Sequence, residues 1–97
     1  MSTGVSWTYN RARLSEALDT WKATAPDEVA VAAINEALMD LIEDPLGWGR
    51  EDPASPGVFN GTVRIPTGGR VGVLYTVADL ESGIVAVADI RTERALP

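Results

Sequence analysis

The chain contains no cysteine and no histidine, and Lys22 is the single lysine among its eight cationic residues. Without cysteine there are no disulfides, no thiolate metal ligands and no sulfur nucleophile. Without histidine, a zinc site would have to be built from carboxylates alone, and an imidazole-based acid–base pair or triad is excluded. No metal or other cofactor is expected. No apolar run approaches the ~20 residues of a membrane span, and the N-terminus lacks a basic region followed by an apolar stretch. The expectation is a cytoplasmic protein without a membrane partner.

What is present is the composition of one small globular domain. The 97 residues are 45% hydrophobic and 23% charged. A chain of this length buries roughly 60 to 65% of its unfolded surface, enough for one modest core, so residues 1–97 are read as a single domain. Fourteen Asp and Glu against eight Lys and Arg give a net charge of −6. That sign opposes long-range attraction to nucleic acid, so any RNA or DNA contact must be local. Every cation but Lys22 is arginine, the residue suited to bidentate pairing with phosphate or carboxylate. A GC-rich genome is the competing reason for that bias.

Val5, Trp7 and Tyr9 alternate with polar residues and predict a short strand. Asn10 is placed to cap a helix from Arg11 to about Ala23, in which Leu14, Ala17, Leu18 and Trp21 form an apolar stripe. Asp19 and Lys22 are true i, i+3 neighbours on its outer side, worth about a few tenths of a kcal/mol. A second helix is predicted from about Pro26 to Glu43, with Pro26, Asp27 and Glu28 in its first turn. Ala30, Ile34, Ala37, Leu38 and Leu41 make its buried stripe, and Asp44-Pro45 ends it. So short a link makes the two helices an antiparallel hairpin. Residues 46–57 read as a loop, with Trp48 pinning it to the body, and the acidic pairs Glu43-Asp44 and Glu51-Asp52 read as solvated ends.

Three strands follow, over 58–65, 70–77 and 84–91, separated by the turn compositions Pro66-Thr67-Gly68-Gly69 and Asp79-Leu80-Glu81-Ser82-Gly83. Short connections make them an antiparallel meander. The expected architecture is α+β: an N-terminal strand, an antiparallel helical hairpin, then a three-stranded antiparallel meander, with one sheet face partly open. If the helices cover the faces bearing Val63, Val73 and Ala88, the other face collects Thr62, Arg64, Arg70, Thr76, Asp89 and Arg91. Such a set can grip a phosphate and stabilise charge developing on it. The bland alternative is a solvated face on which Asp89 and Arg91, or Glu93 and Arg94, neutralise each other. Tyr75 falls on the inward parity with Val73 and Val77, as a core tyrosine. Gly68-Gly69 lacks the lysine and the strand-to-helix context of a phosphate loop and reads as a hairpin turn. Trp7 and Trp21 read as core.

The order strand, two helices, three strands carries three local features: a helix ending in an acid-Pro step (LMDLIEDPLGWGR), a strand ending in VLY (GRVGVLYTVAD) and a last strand ending in Arg (IVAVADIRTER). Together these resemble the RelE/ParE superfamily of bacterial toxins over about residues 5 to 94. The resemblance implies the toxin component of a type II toxin–antitoxin module, neutralised by a cognate antitoxin. In the RelE branch it implies ribosome-dependent mRNA cleavage and translation inhibition, by activation of a ribose 2′-hydroxyl against the adjacent phosphate. In the ParE branch it implies inhibition of DNA gyrase.

By position, Arg91 matches the arginine at the end of the family's last strand and Tyr75 the tyrosine of an R-x-x-Y pattern. The arginine of that pattern falls on Gly72. Arg70, two residues earlier on the same face, is the substitute, displaced by roughly 6 to 7 Å. The catalytic candidates are thus Arg70, Arg91 and Asp89, with Arg64, Arg70 and Arg91 as RNA-binding residues. Family nucleases also offer Lys or His and Glu near the preceding strand and Tyr or His near the C-terminus, where this chain has Arg64 and ends Arg94-Ala95-Leu96-Pro97. The alternative is a non-enzymatic protein of the same fold that binds an antitoxin, gyrase or another partner.

Overall fold

The computed structural model describes residues 6–77 and 81–93. Its elements are β1 (Thr8–Tyr9), α1 (Arg11–Lys22), α2 (Glu28–Glu43), α3 (Pro45–Trp48), β2 (Arg50–Glu51), β3 (Val58–Arg64), β4 (Arg70–Thr76) and β5 (Ile84–Glu93). The class is α+β, with a helix pair against a sheet. That sheet has five strands, one more than the N-terminal strand and three later strands read from the sequence, in the order β1-β5-β4-β3-β2. It is mixed: β1 runs parallel to β5, whereas the β2–β3, β3–β4 and β4–β5 pairs are antiparallel. Val5, Asp79, Leu80 and Arg94 to Pro97 lie outside the described residues.

The helix starts follow from side-chain capping of free N–H groups. Asn10 accepts from the Arg13 N–H at 3.1 Å and starts α1. For α2 the expected start at Pro26 is two residues early. Asp27 is the cap, accepting from the Ala30 N–H at 2.8 Å, after a connection in which Ala25 takes a φ of 57°. The predicted stripe Ala30, Ile34, Ala37, Leu38 and Leu41 is buried. On α1, Ala17 and Trp21 are buried, and the Trp21 indole N–H donates to Thr92 Oγ1 at 2.8 Å, tying the helix to β5.

Residues 46–57 are not the featureless loop that their Gly and Pro content suggests. Asp44 accepts from the Gly47 N–H and caps α3, with Pro45 in the first turn, where its missing N–H costs nothing. The chain then pairs Arg50 with Asn60 and Glu51 with Phe59 as an edge strand. The acidic pairs are correspondingly more than solvated ends: besides the Asp44 cap, Glu51 accepts from the Gly57 N–H and Asp52 from the Ala54 N–H, each at 2.9 Å.

Phe59, Val63, Val71, Val73, Tyr75 and Val77 face the helices and join the core cluster. On β5 the expectation that the face bearing Ala88 turns inward is wrong. Val85, Val87 and Ile90 are buried, whereas Ile84 and Ala88 are exposed. Tyr75 pairs with Val87 and Leu74 with Asp89, so Ala88 is the extra residue of a β-bulge. A bulge shifts the alternation by one, which lets Val85, Val87 and Ile90 all reach the core while Asp89 turns outward.

Candidate functional site

The open face is ordered by the β3–β4 hairpin. The Ile65 N–H donates to the Gly69 carbonyl at 3.1 Å and the Gly68 N–H to the Ile65 carbonyl at 2.9 Å. Gly68 and Gly69 hold φ values of 118° and 86°, a conformation only glycine adopts without strain. This turn sets Arg64 directly opposite Arg70. Like charges directly across an antiparallel pair are destabilising. No carboxylate among the described residues lies within ion-pair distance of either guanidinium.

Arg70 is opposite Glu93 on its other side, and Gly72 lies between Thr62 and Arg91. The Glu93 carboxylate leans over Gly72: a Cβ there would meet Glu93 Oε1 at 2.9 Å. The position where the family resemblance calls for an arginine is therefore roofed by an acid. Arg91 pairs with Asp89 two residues away, Nη2 to Oδ2 at 3.1 Å, with the side chains 78% and 41% exposed. Arg64 and Arg70 thus stand together, Arg91 lies diagonally across from Arg70, and Asp89 is held by Arg91 rather than by the Arg64–Arg70 pair.

Arg50 is a member that sequence reasoning missed. Opposite Asn60, it extends the same face at the β2 edge and lines a hollow of about 430 Å3 with Thr62 and Leu74. The available signal was Arg50-Glu51 followed by the turn residues Asp52-Pro53 and Ser55-Pro56-Gly57, the pattern of a short strand leading back into β3. A smaller hollow of about 160 Å3 is bounded by Asn60, Gly72, Leu74, Asp89, Arg91 and Glu93.

Tyr75 belongs to the other face. Its ring stacks on Phe59 at 5.3 Å, and its hydroxyl donates to the Pro45 carbonyl at 2.6 Å while accepting from the Gly49 N–H at 2.9 Å. Burial raises its pKa above the ordinary tyrosine value. Trp48 packs against Tyr75, ring centroids 6.0 Å apart, and over Gly61, where a Cβ would collide with its ring. All three tryptophans pack on or in the core, and none lies on the arginine face.

Chemically, the open face offers the guanidiniums of Arg50, Arg64, Arg70 and Arg91, which stay protonated, against the carboxylates of Asp89 and Glu93, with Glu51 and Asp52 beside Arg50 in the larger hollow. It can hold oxyanions through paired N–H donors. No cluster of three or more metal-ligating side chains occurs among the described residues. No protein-family model, curated protein or solved structure matches this chain.

Proposed function

We propose that this chain is a RelE/ParE-like toxin-fold protein, the toxin component of a type II toxin–antitoxin module, and that it acts by holding an anionic partner on its arginine-bearing sheet face rather than by cutting RNA. The observation that carries this is Arg64 set directly opposite Arg70, with no carboxylate of the described residues within ion-pair distance of either guanidinium, although Glu93 is Arg70's other cross-strand neighbour. An anion bridging two guanidiniums relieves their repulsion and makes charge-assisted bonds to both. Arg50 and Arg91 extend the grip along the face. The order of a strand, a helix pair and three longer strands supports the scaffold assignment.

Binding is favoured over catalysis because the proton-transfer set is thin. Tyr75 is sealed in the core, Glu93 occupies the space over Gly72, and Asp89 is paired with Arg91. One observation favours the second reading, ribosome-dependent mRNA cleavage. Asp89, Arg91 and Glu93 share the rim of the smaller hollow, so Arg91, with Arg70 diagonally across from it, would hold the phosphate while Asp89 accepts the 2′-hydroxyl proton. The 2′-oxygen then bonds to phosphorus and the P–O5′ bond breaks, the 5′-oxygen taking a proton from water. A cytoplasmic setting suits either reading; among the described residues, no helix is long and apolar enough to cross a membrane.

Expression without the neighbouring antitoxin gene is expected to arrest growth, and Arg64→Ala with Arg70→Ala to relieve the arrest without lowering the thermal melt. Messenger RNA from a translating extract should stay uncut in the A-site codon. Cutting that disappears in Arg91→Ala or Asp89→Asn would replace the binding reading with the nuclease one. Normal growth at verified soluble expression would remove the toxin assignment.

A further inference from the structure

The partner's chemistry can be taken further at the sheet edge, on the reading above that it is anionic. In β3 the main-chain groups alternate between its two neighbours. The Ile65 N–H points to β4, where it meets Gly69, while the Val58 carbonyl points to the β2 side and accepts from the Asp52 N–H at 2.8 Å. With a period of two, Asn60, Thr62 and Arg64 turn their N–H and C=O groups toward the β2 side. There β2 pairs only with Phe59 and Asn60, because the chain before Arg50 departs into α3. Among the described residues nothing bonds to these groups, so Thr62 and Arg64 each present a donor and an acceptor on an open edge.

We infer that this edge of β3 accepts an extended segment of a protein partner as an additional strand, and that the segment alternates acidic with apolar side chains. Main-chain pairing supplies the docking and side-chain alternation the selectivity, as in strand addition generally. One side of the added strand lies beside Thr62 and Arg64, at the end of the face where neither Arg64 nor Arg70 has an ion-pair partner among the described residues. Carboxylates there would bridge the two guanidiniums. The other side lies beside Val63, which is half-buried against the core, so apolar residues fit. Two copies of this edge brought together would add further like charge to the Arg64–Arg70 pair, which disfavours the chain itself as occupant.

The probe is a short acetylated peptide of alternating Glu and Val, titrated into the full chain by calorimetry. The wild type is expected to bind it and to ignore the Lys-Val counterpart. Thr62→Pro removes an edge donor without removing a ladder bond, a place where proline is tolerated, and should weaken binding about tenfold or more. Two further peptides, N-methylated at alternate main-chain nitrogens in one phase or the other, decide the matter even where Thr62→Pro does not fold: one phase should lose binding and the other keep it. Equal binding of both phases overturns strand addition. If Arg70→Ala still weakens that binding, the anionic-partner reading survives without it. Failure of the wild type to bind the Glu-Val peptide overturns the inference outright, leaving the growth and cleavage assays to judge the function.

Discussion

Tyr75 is a polar group at a position where strand alternation calls for hydrocarbon, and it is tolerated because both capacities of its hydroxyl are used. It donates to Pro45 and accepts from Gly49, holding the short α3 and the entry to β2 against the sheet. Tyr9 makes a similar link, donating to the Leu38 carbonyl of α2. Burial raises the pKa of both phenols. In the unfolded chain a tyrosine ionises near pH 10. Above about that pH the unfolded state sheds protons that the folded state keeps, so the tyrosine contribution is fully present below about pH 10 and declines as pH rises beyond it. The urea midpoint should therefore be steady between neutral pH and about pH 9 and fall at higher pH. Tyr75→Phe should fall less steeply there, while costing about 1 to 3 kcal/mol at neutral pH because the Pro45 and Gly49 groups lose their partner. An unchanged alkaline slope in Tyr75→Phe would show that its phenol is not the group responsible.

Among the elements, α2 and β5 show where local pattern is sufficient and where it is not. The stripe of α2 was legible because its five buried positions follow helical spacing. Its start was misplaced because proline in a first turn and aspartate at a cap are both favourable, and the side-chain bond from Asp27 to the Ala30 N–H decided between them. Asp27→Ala should cost about 1 kcal/mol in urea denaturation; a change within error would mean that Pro26 alone sets the helix start. In β5 the signal for the bulge was present in the spacing of its larger apolar residues, since Val85 and Val87 are two apart and Ile90 three beyond. Uniform alternation cannot bury all three. The extra residue at Ala88 can, and it also turns Asp89 onto the arginine face.

Over the whole molecule, acid is concentrated on α2, whereas α1 carries Arg11, Arg13 and Lys22. Asp27, Glu28, Glu36, Asp40, Glu43 and Asp44, on α2 and its two caps, are all exposed with no cation among them. Arg50, Arg64, Arg70 and Arg91 share the opposite side of the sheet. A net charge of −6 therefore conceals a local cationic pair, Arg64 opposite Arg70, and anion binding there should weaken as salt screens it. Arg64→Ala should reduce both the affinity for a carboxylate-rich ligand and its salt dependence. It should leave thermal stability unchanged or slightly raised, because it removes a like-charge neighbour of Arg70. A clear fall in stability would instead identify Arg64 as a packing residue.

The helix stripes, the strand alternation in β3 and β4, the shared parity of Arg64 and Arg70, and the absence of thiol and imidazole chemistry were all legible along the chain. These follow from residue identity and short-range periodicity. Long-range pairing was needed to bring Arg50 onto the face opposite Asn60, to lay Glu93 over Gly72, to fasten Tyr75 to Pro45 and Gly49, and to leave the β3 edge at Thr62 and Arg64 without a partner among the described residues. Each of these depends on which distant segments pair and where the chain leaves the sheet, and no local period encodes that.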